Sequence, residues 1–574
     1  MYMDEYRRWL ASSTLTDAER AELKAVEGNE KEIESRFFAP LSFGTAGLRG
    51  VLGMGINRMN IYTVRQATQG LATLVTEHGE QACRRGVAVC YDCRHQSDEF
   101  AHEAARVLAA NGVHVHLFDA MRPTPELSFA VRKLGCIAGI NITASHNPKE
   151  YNGYKAYWED GAQLPPAEAD VVSRAIAEVD VLDGARLCDF DEAVKSGLIT
   201  YLGAEMDEAF LSYTQSLSVA GDAIIRDADN LRIVYTPFHG TGYQLVPEIL
   251  RRAGVKHLIC DPVQSVPDPD FHTVKSPNPQ DAEGFAGAIE LARANDVDLI
   301  LGTDPDADRI GIVVRNRAGE YVTISGNQTG SLLTDFLIRA RREQGKLPEN
   351  AAIVKTIVTT DMARTIAEKN GVACFDTFTG FKSLAEQIGE FEKDGSHSYL
   401  LAFEESYGYL TGDGARDKDA VTAALLITEM AAWYELQGLT LADALEQMYD
   451  KYGYYIDETV NLVFPGVDGL RKMAALMNGL RENTPADFAG IEVLRMRDYL
   501  SGTITDLRTG EKTPMKLRDS NVLGFDMADG TNFIVRPSGT EPKIRVYILL
   551  HGTDREECKQ RIAAYKTVAK SFGD

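Results

Sequence analysis

At 574 residues the chain is several times the size of one domain, and about three to five domains are expected. Hydrophobic residues at 44% and charged ones at 25% describe an ordinary soluble protein with apolar mass for several cores. The net charge of −24 argues against nucleic acid and anionic membranes as partners, and it requires that any anionic substrate be held by a local cluster of Arg and Lys.

The first residues carry acidic side chains and no apolar h-region, and no apolar run reaches the length of a membrane span, so a cytoplasmic protein is expected. Of eight cysteines only Cys90 and Cys93 form a C-x-x-C. A redox or zinc role there is weighed against the commoner reading, buried thiols in a reducing compartment.

Residues 1–40 read as a helical extension, with Thr16-Asp-Ala-Glu19 at capping-box spacing. Phe43-Gly-Thr-Ala-Gly-Leu-Arg49-Gly50 follows. Its glycines let backbone approach a ligand and its arginine offers a planar fork to phosphate oxygens, although glycine-rich turns are common. Strand and helix patterns then alternate over 86–92, 100–110, 113–119 and 135–143, which predicts a parallel sheet wound with helices. The last run is short and β-branched, and Ala144-Ser145-His146-Asn147-Pro148 cuts it off. Proline cannot continue a ladder, so Ser145 is expected on a tight turn at the carboxyl end of a strand, where open α/β sheets bind ligands. Most serines in turns only bond the backbone. One beside a histidine can also be a nucleophile. Residues 149–155 are expected to continue the loop, and 165–206 to form a polar helical junction.

A second alternation covers 231–303, with strands at 231–237, 255–261 and 297–303. Its turn His239-Gly240-Thr-Gly242 has two glycines of a dinucleotide loop but Leu245 at the third position, so that fingerprint fails. A third runs from 322 to 452, with strands at 351–358, 372–375 and 398–402. Beyond it, 521–528 and 532–536 flank Asp529-Gly530, a hairpin signal, and 543–550 alternates before a last helix. The fold class expected is α/β: three consecutive mixed α/β domains (41–205, 206–321 and 322–455) after the extension, then a C-terminal α+β domain at 456–574.

Gly302-Thr-Asp304-Pro-Asp306-Ala-Asp308-Arg309 ends the strand at 297–303. Three carboxylates at every second residue raise one another's pKa unless a cation joins them, and oxygen-only ligands favour magnesium or calcium. An EF-hand is excluded, because its glycine and glutamate positions hold Arg309 and Arg315. The bland alternative is a solvated acidic turn. Thr379-Gly380-Phe-Lys382 and Phe403-Glu404-Glu405-Ser406-Tyr-Gly408 each follow a strand, and Arg416-Asp-Lys418 adds cations. A carboxylate and a hydroxyl two residues apart can bracket vicinal sugar hydroxyls. Finally Arg536-Pro-Ser538-Gly539-Thr540-Glu-Pro-Lys543-Ile-Arg545 offers backbone N–H groups and fork donors to a phosphate.

Together, and in this order, these stretches resemble the α-D-phosphohexomutase family over the chain from Phe43 onward. The form Phe-Gly-Thr-Ala-Gly-Leu-Arg with Phe-Glu-Glu-Ser-Tyr-Gly looks most like its phosphoglucomutase and phosphopentomutase branch. The resemblance implies four domains around a central cleft. It implies interconversion of glucose 1-phosphate and glucose 6-phosphate through a phosphoserine and a glucose 1,6-bisphosphate intermediate, with a pentose or mannose phosphate as the alternative substrate. Ser145 matches the phosphoserine, and with Asp304, Asp306 and Asp308 it would hold Mg2+. Glucose 1,6-bisphosphate is implied as activator and small sugar phosphates as the partners. Arg49 and Lys155 would be the acid/base pair, with the pKa of Lys155 lowered by Arg49. His146 matches too, as a proton carrier or as a group orienting the serine. Arg309 would contact the ligand, with Thr379, Gly380, Glu404, Ser406 and Lys418 on the sugar. Arg536, Ser538, Gly539, Thr540 and Arg545 would grip the distal phosphate. A sugar-binding histidine is not carried over, since Tyr407-Gly408 stands in its place.

Overall fold

The computed structural model describes residues 2–573 except 46, 465–467 and 539–541. The chain divides into two compact units, one made of residues 1–326 and 406–440 and the other of 327–405 and 441–574. Its sheets are parallel or mixed with helices packed on them, except that the last is antiparallel, as the α/β and α+β reading expects.

In the first unit a six-stranded sheet runs in the order Leu48–Val51, Tyr151–Trp158, Ala138–Ile142, Val87–Tyr91, Val115–Phe118 and Ile199–Leu202. The central strand Val87–Tyr91 is buried at four of its five positions, as expected for a strand covered on both faces by helices. Two stretches differ from expectation. Residues 151–158 are not loop but a strand antiparallel to Ala138–Ile142, so Lys155 stands directly opposite Asn141 on a rigid ladder. The polar junction also supplies an edge strand, Ile199–Leu202, too short to stand out beside its helices.

The extension forms three helices, Tyr2–Ala11, Asp17–Ala25 and Glu30–Phe37, and the capping box at Thr16 and Glu19 is present. Trp9, Leu23, Ile33 and Phe37 pack against Met54 and Tyr62. Glu22 accepts from Arg36 (2.5 Å) and from the Met54 amide (3.0 Å). These helices therefore brace the segment that follows the strand carrying Arg49.

A second sheet in this unit is ordered Tyr321–Ile324, Ile310–Arg315, Leu299–Thr303, Arg232–Thr236 and His257–Cys260. Leu299–Thr303 pairs antiparallel with Ile310–Arg315, Thr303 opposite Ile310, so the aspartate-rich stretch is the connection of a hairpin. The glycine pair at 240 and 242 lies under it. A Cβ on Gly240 would collide with the backbone of Pro305, and Thr241 N donates to the Pro305 carbonyl at 2.8 Å. These glycines serve close packing beneath the aspartates. Helix Ala420–Glu435 returns to this unit and is buried on nearly all sides. Its Glu429 accepts from Ser218 and from the amides of Val219 and Ala220, the latter two at 2.8 Å.

In the second unit, parallel strands Ala373–Thr377, Ala351–Thr356 and Ser398–Glu404 form one sheet. An antiparallel sheet spans Tyr454–Val463, Lys543–Gly552, Asn532–Pro537, Leu523–Met527, Ile491–Asp498, Thr503–Asp506 and Lys512–Pro514. Ile357 and Val358 pack with Tyr499, Val522, Ile534, Tyr547 and Leu549, which joins the two sheets. Buried Lys355 beside this contact is paired with Asp361 (3.1 Å) and Asp376 (3.0 Å).

Asp457, on the long strand Tyr454–Val463, has an enclosed carboxylate oxygen without a hydrogen-bond partner. Burial, aided by Asp361 and Glu405 and opposed by Thr360 and Lys355, pushes its pKa up to about 7 from 3.8. The folded value lies above the unfolded one, so this carboxyl costs stability progressively as pH rises from about 4 to 7. Asp457→Asn keeps the shape and never ionises. It is expected to stabilise the protein by on the order of 3 kcal/mol at pH 8, with the gain vanishing towards pH 4. Urea unfolding across that range checks it, and a gain that does not vary with pH would contradict the assignment.

Among the described residues no helix is long and apolar enough to cross a membrane. All eight cysteines are free. Burial pushes the Cys90 and Cys93 thiols well up, which fits inert thiols better than a redox pair.

Candidate active site

Ser145 lies three residues beyond strand Ala138–Ile142, with φ +53. A non-glycine residue held in the left-handed region costs on the order of 1 kcal/mol or more, and persists where its surroundings over-determine it. Here they do. Thr143 Oγ1 accepts from the Ser145 amide (2.8 Å) and donates to Asp92 (2.7 Å). The buried Arg94 guanidinium donates to the carbonyls of Ser145 (2.6 Å), Asn147 (2.5 Å), Pro148 (2.9 Å) and Tyr151 (3.0 Å). Its other face lies 5.1 Å over the Phe271 ring. Sequence reasoning missed Asp92, Arg94 and Thr143. The one signal available was two charged residues just past a buried strand end.

The Ser145 hydroxyl donates to Asp304 Oδ2 at 2.9 Å and lies 3.2 Å from His146 Nδ1. Asp304, Asp306 and Asp308 are all buried and each offers an oxygen within 4.8 Å of the others. Burial, with Asp308 and Asp306 beside it, pushes Asp304 well above the carboxylate range. Burial would also raise Asp308, but Lys155, Lys418 and Arg309 outweigh it and hold that carboxyl low. Asp306 Oδ1 and Asp308 Oδ1 are buried with no hydrogen-bond partner. Buried acceptors are almost always satisfied, so two orphaned oxygens facing a third carboxylate fit a hard divalent cation. These three aspartates could hold one, with the serine oxygen at its edge.

Lys155 Nζ bonds Asp306 Oδ2 (2.6 Å) and Asp308 Oδ2 (3.1 Å). Its pKa is raised, contrary to the expectation of a value lowered by Arg49. Burial pushes it down, but Asp306 and Asp308 more than compensate. Arg49 is exposed and donates to Asn147 Oδ1 at 2.9 Å. Burial, Arg309 and Arg49 push His146 well below its ordinary value, so its imidazole is neutral. Arg309 Nε stands 3.8 Å from Asp308. Lys418, grouped with the sugar contacts in the sequence, lies in the first unit with its ammonium on Asp308 (3.2 Å) and Asp417 (2.8 Å). Tyr157 holds Asp417 in turn, at 2.9 Å.

In the second unit Thr379 and Gly380 sit between strand Ala373–Thr377 and helix Phe381–Asp394, and Gly380 has φ +99, which favours glycine. Glu404 is the buried last residue of its strand. Ser406 opens the segment that returns to the first unit, before Tyr407 at φ +67. Arg536 and Arg545 stand directly opposite each other on adjacent antiparallel strands. Like charges in that position are destabilising unless an anion lies between them. Ser538 N donates to the Lys543 carbonyl at 2.8 Å, closing this connection. Gly539 and Thr540 lie outside the described residues.

Comparison with known proteins covers most of the chain. The phosphoglucomutase/phosphomannomutase domains match in order: alpha/beta/alpha domain I at residues 40–182, domain II at 211–319, domain III at 325–452 and the C-terminal domain at 478–564. The chain is 37% identical to a phosphoglucomutase of Staphylococcus aureus (strain MRSA252) over 538 residues, 93% of this chain and 94% of that one. It is 36% identical to a phosphoglucomutase of Staphylococcus saprophyticus, over 93% and 95% of the two chains. Among solved structures the fold is shared with pp63/parafusin from Paramecium (TM-score 0.68, 18% identity, 92% of this chain and 95% of that one). It is also shared with a phosphoglucomutase/phosphomannomutase family protein from Burkholderia thailandensis (TM-score 0.65, 17% identity, 92% and 97%).

Proposed function

Since the chain belongs to the phosphoglucomutase/phosphomannomutase family, we propose that it is a phosphoglucomutase working through a phosphorylated Ser145, interconverting α-D-glucose 1-phosphate and D-glucose 6-phosphate. The observation that carries this reading is the Ser145 hydroxyl, strained on its turn, 2.9 Å from a buried carboxylate of the aspartate triad.

The phosphoryl group leaves Ser145 as its P–O bond breaks and a new bond forms to the free hydroxyl of the sugar phosphate. The product of this half-reaction is glucose 1,6-bisphosphate, which turns end for end and returns its other phosphate to the serine. The same bisphosphate, added in trace, would load Ser145 and act as activator. Phosphoryl transfer asks mainly for positioned oxygens and charge neutralisation. Arg94 fixes the loop that aims the serine oxygen, and Arg49 and Arg309 face the same loop with positive charge. Asp304, Asp306 and Asp308 would hold a Mg2+ ion, which when bound would supply positive charge to the phosphoryl oxygens. In its neutral form Lys155, buried against Asp306 and Asp308, would take the proton of the attacking hydroxyl and give it back in the reverse half-reaction. Neutral His146 orients the serine oxygen. Arg536 and Arg545 hold the phosphate that is not reacting, and Glu404 and Thr379 the sugar hydroxyls.

A coupled assay of glucose 6-phosphate formation from α-glucose 1-phosphate, with Mg2+ and a trace of glucose 1,6-bisphosphate, tests the reading. Mannose 1-phosphate and ribose 1-phosphate run beside it. Turnover of glucose 1-phosphate in preference to the other two is expected. Turnover of ribose 1-phosphate alone would keep the mechanism and change the substrate, and turnover of none would end the proposal.

A further inference from the structure

Asp306 is held from a direction the mechanism leaves unused. Its Oδ2 accepts from Lys155 and also from the hydroxyl of Thr124, at 2.7 Å. Its main-chain carbonyl accepts from Thr124 N at 2.8 Å. Thr124 opens helix Thr124–Leu134 after Pro123, so its amide is one of those a helix start leaves without an internal partner. Asn141 Nδ2 in turn donates to Thr124 Oγ1 at 2.7 Å. Thr124 and Asn141 are both fully buried. Asn141 stands directly across the ladder from Lys155, so both restraints on Asp306 Oδ2 trace back to one cross-strand pair.

A hydroxyl has one proton to give. The charged carboxylate is the stronger acceptor, so the proton goes to Asp306 and the Thr124 lone pair is left for the Asn141 amide. A carboxylate can swing about its Cβ–Cγ bond, and which oxygen it presents depends on which one is already engaged. Two donors occupy Oδ2 here, and Oδ1 is the buried oxygen without a partner.

We propose that Thr124, held by Asn141, is a positioning residue that turns Asp306 so that Oδ1 is delivered to the divalent cation. This rests on the reading that the triad binds that cation. Outer donors of this kind orient metal ligands, and their loss typically weakens metal affinity by about 10- to 100-fold.

The test uses full-length protein and Mn2+ as the probe, with free Mn2+ read by electron paramagnetic resonance. Thr124→Val removes only the hydroxyl, and Thr124→Ser restores it. Weaker Mn2+ binding by about 10- to 100-fold in the valine variant, with the serine variant near the parent, is the expected result. Equal Mn2+ affinity in parent and valine variant would overturn the proposal, whatever happens to turnover. So would a serine variant as weak as the valine one, since the hydroxyl would then not be the cause. Should Thr124→Val fail to fold, Thr124→Ala leaves a small gap instead of a methyl against two oxygens and carries the same expectation. Asp304→Asn separates the two readings. If it leaves Mn2+ binding intact, the triad is not the cation site, and the premise has failed rather than the role of Thr124.

Discussion

Ser145→Ala is expected to lower the turnover of glucose 1-phosphate by roughly 10,000-fold or more while leaving the fold unchanged. On the proposed mechanism the change removes the oxygen that carries the phosphoryl group between the two half-reactions, and the side chains beside it are poor replacements. His146 is neutral and half-buried, the carboxylates of Asp306 and Asp308 are engaged by lysines, and Asp304 accepts from two backbone amides. The structural cost is small. The hydroxyl makes one hydrogen bond to Asp304, worth about 1 kcal/mol, and Asp304 keeps those from the amides of Asp308 and Arg309. The turn is set by Thr143 and Arg94 through backbone groups, which alanine keeps. Thermal midpoints within a few degrees of each other, beside a collapsed rate, are therefore expected. A variant retaining a tenth of the parent rate would rule out a phosphoserine mechanism.

Asp308→Asn is expected to lose both activity and stability. Two effects oppose each other here. Removing a charge from a triad relieves repulsion among aspartates, and it also strips a carboxylate from between two buried ammoniums, Lys155 at 3.1 Å and Lys418 at 3.2 Å. The depressed pKa of Asp308, reached despite burial, shows that the cations dominate. Breaking a buried pair by removing one partner costs about 3–5 kcal/mol. That stability is present above the ordinary carboxylate value of 3.8 and is lost as pH falls through the lower folded one, so the deficit should be full at pH 7. Denaturation in the absence of metal measures this separately from turnover. If Asp308→Asn proved as stable as the parent at pH 7, the balance of charges argued here would be wrong.

Much of the fold could be read from alternation alone, because parallel strands covered on both faces appear as short apolar runs between helices. The antiparallel additions were harder. Tyr151–Trp158 mixes Asn, Lys and aromatic residues, so nothing in its pattern separates it from a loop; it is a strand because Ala138–Ile142 offers it a ladder. Ile310–Arg315 was hidden for another reason. It follows the aspartates directly, with only Arg309 between Asp308 and the strand to mark the boundary. Within the site, the residues that meet a ligand carry unusual chemistry and stood out. The residues that hold them, Arg94, Thr124, Asn141 and Asp417, are common types at unremarkable spacings. Their importance comes from contacts between distant parts of the sequence, such as Arg94 with Ser145, 51 positions apart, and Thr124 with Asp306, 182 apart.

The division of the chain bears on how it is made. The first unit is left at residue 326 and entered again only at 406, and its buried helix Ala420–Glu435 comes after that gap. At roughly 5–20 residues per second of synthesis, the ribosome takes on the order of ten seconds to cover that distance. Throughout it, the apolar faces of helices Gly242–Arg252 and Ala204–Ser216, on which Ala420–Glu435 packs, are without their cover. The nascent chain should then be protease-sensitive and drawn to chaperones until about residue 440 has emerged. Chains stalled on the ribosome before and after that point should differ in cleavage of the 204–252 region, and equal resistance in both would mean that the first unit closes without its last helix.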